Sequence, residues 1–271
     1  GTTTISGSNF STFSNIVSGQ TISVTGSGTV SSANVGTGKN VTSVNLALAN
    51  GSGSASNYSI NSLTAEITGK PVTISGSRLY DSTTTASSSI LTITSGVSGE
   101  SLSLTGSGVL GAASAGTQTI TNNNTLAIAD GSGGLASNYT LSGATINVTI
   151  IPRTLNVTLS REYDGTTSVS GASLTPTFDS LQGGETLALS GTGSVSTANV
   201  GSSKAVSLGS IALVAGSGNP SNYSLNSATM NVTKRVINLD GIRAYDATTN
   251  VLSSDINTFG NIVSGETLTI S

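Results

Sequence analysis

Leu155, Val157 and Leu159 alternate with Thr154, Asn156 and Thr158, the period-two signature of a strand with one buried face. The same alternation marks residues 174–178, 185–189, 193–196, 204–214 and 223–232, so five further strands are expected there. No window sustains a 3.6-residue apolar period, which makes the expected fold class all-β. The words Gly26-Ser27-Gly28, Gly106-Ser107-Gly108 and Gly191-Thr192-Gly193 interrupt alternating runs, where glycine marks a bulge or a tight hairpin. No helix opens after any of them, so they do not read as phosphate-cradling loops.

The pattern repeats. Arg161-Glu162-Tyr163-Asp164-Gly165-Thr166-Thr167 returns as Arg78-Leu79-Tyr80-Asp81-Ser82-Thr83-Thr84 and as Arg243-Ala244-Tyr245-Asp246-Ala247-Thr248-Thr249. Successive tyrosines are 83 and 82 residues apart, and a fixed long period is the mark of a tandem array. Other words keep the step. Gln20, Glu100, Glu185 and Glu266 each close a Gly-containing turn, Asn34-Val35-Gly36 matches Ser114-Ala115-Gly116 and Asn199-Val200-Gly201, and Asn57-Tyr58 matches Asn138-Tyr139 and Asn222-Tyr223. The expected architecture is a linear tandem array of small sandwich-like β domains, with boundaries at 1–69 (partial), 70–151, 152–234 and 235–271 (partial). The alternative, a continuous β-solenoid, calls for a coil-length period near 20 to 30 residues, and only the long one is present. Junctions such as Thr68-Gly69-Lys70-Pro71 and Ile150-Ile151-Pro152-Arg153 are short and proline-stiffened, which predicts limited hinge freedom.

Composition sharpens this picture. Hydrophobic residues are 35% of the chain, aromatics 4%, and Trp is absent, so each repeat has a thin core and is expected to gain stability from its neighbours. Disorder is rejected because net charge is only −3 and mean hydropathy is +0.15, the reverse of the disordered combination. Nine Lys plus Arg, spread singly, argue against nucleic acid and anionic membranes as partners. No apolar run approaches the ~18 residues of a membrane span. With no Cys and no His, disulfides, thiolate and imidazole nucleophiles and the usual transition-metal sites are excluded, and no cofactor is expected.

Taken together, the Arg-x-Tyr-Asp word, Ser190-Gly191-Thr192-Gly193, Asn199-Val200-Gly201 with Lys204-Ala205-Val206, and Ser221-Asn222-Tyr223-Ser224-Leu225 followed by Asn231-Val232-Thr233-Lys234-Arg235 resemble the YDG-type repeat of large bacterial surface proteins. The resemblance spans essentially the whole chain. It implies the stalk or repeat region of very long secreted adhesins, often of the filamentous-haemagglutinin kind, hence an extracellular place on a bacterial cell surface. Ser82 and Ala247 stand where the resemblance calls for Gly, and Ser114-Ala115 stands for Asn-Val.

Candidate chemistry is sparse. Tyr80, Tyr163 and Tyr245 are candidate sugar-stacking platforms and Asp81, Asp164 and Asp246 candidate Ca²⁺ ligands, but a Tyr over the core edge beside a turn-capping Asp is the expected arrangement, because a Ca²⁺ site needs six to eight gathered oxygens. The residue after that Asp is Gly165, Ser82 or Ala247, a mixture that predicts negative φ and a type I turn. Tyr58, Tyr139 and Tyr223 are expected to be buried with their hydroxyls on backbone. Glu100, Glu185 and Glu266 share their phase with Gln20, so they are expected to be solvated turn residues and not catalytic acids. Lys39 and Lys204 share theirs with Gln118, leaving a Lys–Asn isopeptide staple as a minor expectation. The many Asn-x-Ser/Thr words are what a chain of this composition produces. No repeat joins a nucleophile, a base and an orienting group, so the expectation is a structural module without enzyme activity, or failing that a binder of glycan or of a neighbouring cell's protein. Its expected partners are adjacent repeats or further copies in a fibre.

One expectation concerns pairing. Residues 247–271 repeat the phase of residues 1–25 with 11 identities. Residues 1–68 therefore read as a repeat without its first strand and turn, and Val236 to Asp246 as that piece one array-length later. A strand from a preceding repeat or from another copy is expected beside the first repeat.

Overall fold

The structure, a computed structural model, describes residues 2–43 and 45–270. Repeat 1 forms β1 (Thr4–Ser6), β2 (Ile22–Thr25), β3 (Ser27–Val30), β4 (Gly36–Ser43), β5 (Ala47–Asn50) and β6 (Thr64–Ile67). Repeat 2 forms β7 (Lys70–Leu79), β8 (Thr85–Ser87), β9 (Leu91–Thr94), β10 (Leu102–Thr105), β11 (Ser107–Leu110), β12 (Gly116–Asn122), β13 (Ala127–Asp130) and β14 (Tyr139–Ile151). Repeat 3 forms β15 (Arg153–Glu162), β16 (Ser168–Ser170), β17 (Thr177–Phe178), β18 (Leu187–Ser190), β19 (Thr192–Val195), β20 (Gly201–Ser207), β21 (Ala212–Ala215) and β22 (Tyr223–Thr233). The last stretch adds β23 (Asn238–Gly241) and β24 (Ile256–Gly260). Helix is confined to single 3₁₀ turns such as Pro220–Asn222. The fold is all-β, built of small β domains in tandem.

Repeats 2 and 3 have one design. A six-stranded sheet, in the order β8-β11-β12-β14-β7-β9 or β16-β19-β20-β22-β15-β17, faces a two-stranded sheet, β10-β13 or β18-β21. Most pairs are antiparallel, but β15 lies parallel to β22 from Arg153↔Tyr223 to Glu162↔Thr233, because the chain crosses the whole domain between them. Leu155, Val157 and Leu159 of β15 and Ala228, Met230 and Val232 of β22 turn inward and are buried. Leu189 of β18 and the half-buried Leu213 of β21 close the core from the other side. This two-layer arrangement is a sandwich; the continuous parallel solenoid is not formed.

The Gly-x-Gly words are neither hairpins nor bulges. At Gly26, Gly106 and Gly191, with φ of 85°, 75° and 77°, the chain leaves the small sheet and enters the large one, a corner that only a left-handed residue turns. A Cβ at any of the three would sit 2.0 Å from a carbonyl oxygen, of Asn45, Thr125 or Ser210 respectively. Two strand expectations are corrected as well. Residues 204–214 are not one strand but β20 and β21, separated by a turn in which Ile211 N–H donates to Leu208 O at 2.8 Å and Gly209 has φ 54°. The short strand β16, three residues flanked by polar ones, carries too brief an alternation to be read.

By its internal contacts the chain divides into two compact units. One comprises residues 1–77, 84–111 and 117–148; the other comprises 78–83, 112–116 and 149–271. The second unit thus takes two turns of repeat 2, Arg78–Thr83 and Ala112–Gly116, together with repeat 3.

Candidate functional site at the repeat junctions

The Arg-x-Tyr-Asp-x-Thr word builds a turn that aims its tyrosine. In each copy the Asp Oδ1 accepts from the N–H and the hydroxyl of the Thr two residues on: 2.9 and 2.9 Å for Asp81–Thr83, 2.9 and 3.0 Å for Asp164–Thr166, 3.0 and 2.9 Å for Asp246–Thr248. The Arg two residues before the Tyr pairs with that Asp, at 3.1 Å for Arg161–Asp164, and donates to the Thr carbonyl. Burial works against ionisation of Asp81 and Asp164, but the Thr N–H and hydroxyl and the Arg charge outweigh it and hold both carboxyls below the usual Asp range.

The type I turn is not what forms. Ser82, Gly165 and Ala247 have φ of 63°, 74° and 65°, left-handed in every copy. Ser and Ala bear this strain, of order 1–2 kcal/mol each, because the Asp–Thr and Arg–carbonyl bonds fix the turn from both sides.

What the turn presents is a junction between repeats. Tyr80, 3% exposed, ends β7 and donates from its hydroxyl to Glu185 Oε1 at 2.6 Å. Tyr223, 5% exposed, donates to the other oxygen, Oε2, also at 2.6 Å. The two rings meet edge to face with centroids 5.3 Å apart, and the Tyr223 hydroxyl accepts the Gln182 N–H at 3.0 Å. Arg153 Nε donates to Tyr80 O at 2.9 Å. Burial first, then the Glu185 carboxylate, push the Tyr80 phenol up to about 12.

The constellation recurs around the other phenols. Tyr163 donates to Glu266, Tyr139 to Glu100, and Tyr58 to Gln20 at 2.7 Å. The expectation of solvated turn carboxylates is therefore corrected: Glu100, Glu185 and Glu266 are acceptors for tyrosine hydroxyls. Gln20 serves at the same phase because its Oε1 has one described phenol to accept, whereas Glu185 has two. Tyr58 also accepts the Val17 N–H at 3.2 Å.

A second bond joins the repeats. Asn222 Oδ1 accepts the Ala115 N–H of repeat 2 at 2.8 Å, and Asn138 Oδ1 accepts the Val35 N–H of repeat 1 at 2.9 Å. The Asn-Val-Gly word of one repeat thus meets the Asn-Tyr word of the next. Because the donor is a backbone N–H, Ala115 serves as well as Val35, and the degraded middle copy keeps its junction.

Tyr245 departs from its counterparts. It is 93% exposed, so the placement over a core edge does not hold for this copy, although Asp246 still caps its turn. Lys204 Nζ donates to Thr197 O, Thr197 Oγ1 and Asn199 O at 2.6, 2.9 and 2.5 Å, which makes it a clasp on the Asn-Val-Gly loop; these acceptors are not a side-chain amide of the kind an isopeptide needs. Among the described residues, no group of three acidic side chains is placed to share a metal ion, and no helix is long and apolar enough to cross a membrane.

The junction residues missed in sequence are the glutamates and the asparagines before Tyr. Their signal was present in the fixed spacing of Glu185 to Tyr223 and of Glu100 to Tyr139, 38 and 39 residues, but nothing in one repeat reveals that its partner tyrosine lies in another. Comparisons with curated proteins and with solved structures found no match. The profile of the YDG domain matches three times, over residues 1–68, 64–147 and 149–230, and the chain belongs to the YDG domain family as a run of tandem copies.

Proposed function

We propose that this chain is a stretch of structural spacer repeats from an extracellular bacterial adhesin or surface fibre, holding a binding element away from the cell. The observation that carries the reading is the Tyr80–Glu185–Tyr223 junction. A linker that only connected two domains has no need to bury two aromatic rings and share one carboxylate between them. Such a junction resists bending, since tilting the repeats separates two charge-assisted bonds and an aromatic pair at once. Family membership agrees with this reading, as YDG-type repeats resemble the stalks of long secreted adhesins. The proposal assigns the repeats no reaction and no cofactor.

Small-angle scattering on the chain and on versions with added internal repeats tests it. The maximum dimension is expected to rise in equal steps with repeat number, and a dimension that stays level would refute the spacer. A glycan array supplies the other arm: saturable binding whose strength scales with repeat number would replace the inert spacer by a binding module. Protease shaving of intact cells, which should release the repeats, checks the location.

A further inference from the structure

Repeat 1 has a four-stranded sheet, β1-β3-β4-β6, where repeats 2 and 3 have six strands. The strands without counterparts are those of β7 and β9, or β15 and β17. Among the described residues no strand pairs with the far edge of β6, and residues 10–15, at the phase of β9 and β17, form no strand. The consequence shows in burial. Leu63, Ala65 and Ile67 are only half-buried, whereas Ala228, Met230 and Val232 at the same places are buried under β15.

The last stretch of the chain has the converse defect. β23 and β24 pair with each other, Leu239 opposite Phe259, as β15 pairs with β17. No described strand lies on the other edge of β23. Leu239 is 47% exposed, while its counterparts Ile74 and Val157 are 1% and 2% exposed, and Tyr245 stands almost wholly in solvent. Gly241 at the phase of Gly76 keeps the same close approach to the partner strand, to Asp255 O as Gly76 to Ile90 O, so the segment is built like β7.

We infer that the open edge of β6 is a strand-acceptor site and that its occupant is the β23–β24 hairpin of a second copy of this chain. Four strands plus two restore the order β1-β3-β4-β6-β23-β24, which is that of the complete repeats. The incoming β23 runs parallel to β6, as β15 does to β22, and lays Ile237 and Leu239 over Leu63 and Ala65. Residues 10–15 of the acceptor yield their place to β24. Tyr245 then enters a cavity of about 270 Å³ lined by Asn34, Val35, Lys70, Glu100, Asn138 and Tyr139. In the next junction Arg153, Glu185 and Tyr223, at the phases of Lys70, Glu100 and Tyr139, are the residues that hold Tyr80. The contact is heterologous: each added copy offers the same open edge and the same exposed hairpin, so assembly is open-ended. The inference does not rest on the spacer reading, since it concerns association of the chain with itself.

Sedimentation velocity on the 271-residue chain tests it, with a synthetic peptide of residues 234–246 as the probe. The weight-average mass is expected to rise about twofold or more with concentration, as for a non-closing interface, and excess peptide should return it to the monomer. Leu239→Asp changes an exposed residue and leaves the fold intact by circular dichroism. Alone it should remain monomeric; added in excess to the unsubstituted chain it should cap exposed hairpins and hold the species near dimers. A chain that stays monomeric at every concentration and retains no peptide would overturn the inference. Assembly by Leu239→Asp equal to that of the unsubstituted chain would overturn it too.

Discussion

Replacing Glu185 by Ala removes the acceptor of two phenols at once. Tyr80 and Tyr223 are 3% and 5% exposed, so neither hydroxyl reaches bulk water without opening the junction, and Tyr223 retains only the N–H of Gln182. A hydrogen bond to a charged group contributes about 1.5–3 kcal/mol. The two share one carboxylate and do not add fully, which puts the expected loss at about 2–4 kcal/mol. Glu185→Gln retains one acceptor oxygen and should cost about half of that. With no Trp in the chain, tyrosine emission during urea unfolding reports directly on the buried rings. The decisive measurement is the double-mutant cycle with Tyr80→Phe, which removes one hydroxyl and keeps the ring pair. A coupling energy of about 1–2 kcal/mol is expected. Coupling indistinguishable from zero would mean that the Tyr80–Glu185 bond does not hold the repeats together, and the argument for a stiff junction would fall with it.

Other consequences are equally direct. The Tyr80 phenol is raised from 10.0 to about 12 in the fold, so the folded state holds its proton more tightly than the unfolded chain; stability is intact below about pH 10 and should decline as pH rises from there through about 12, read as phenolate absorbance and unfolding together. Gly191→Ala places a Cβ 2.0 Å from Ser210 O at φ 77° and should cost about 2 kcal/mol or more in thermal or urea unfolding. Ala247→Gly relieves a left-handed residue and should stabilise the Asp246 turn by about 1 kcal/mol, visible as slower amide exchange at Thr248. Leu159→Ala empties a fully buried position of repeat 3 and should cost about 2–5 kcal/mol.

Much of the fold was legible in the chain itself, for a physical reason: strand periodicity and repeat phase are local or translational signals. The alternation of Leu155, Val157 and Leu159 states which face is buried, and the spacing of Tyr80, Tyr163 and Tyr245 states the unit. Neither needs a partner to be read. The turn after Asp164 misled because Ser82 and Ala247 argue individually against left-handed backbone; only the closed set of Asp–Thr and Arg–carbonyl bonds makes that conformation worth its strain. The glutamates misled for a related reason. Glu185 looks like a solvated turn residue in sequence, and it becomes an acceptor because β7 of repeat 2 delivers Tyr80 to it across 105 residues. Which strand of each sheet crosses the domain to lie parallel to another, where Gly191 turns the chain between sheets, and why Leu239 is exposed while Val157 is buried are all set by partners distant in the chain. Sequence by itself determined the strands, the period and the family; tertiary structure decided the junction chemistry, because a hydrogen bond between repeats leaves no periodic trace in either of them.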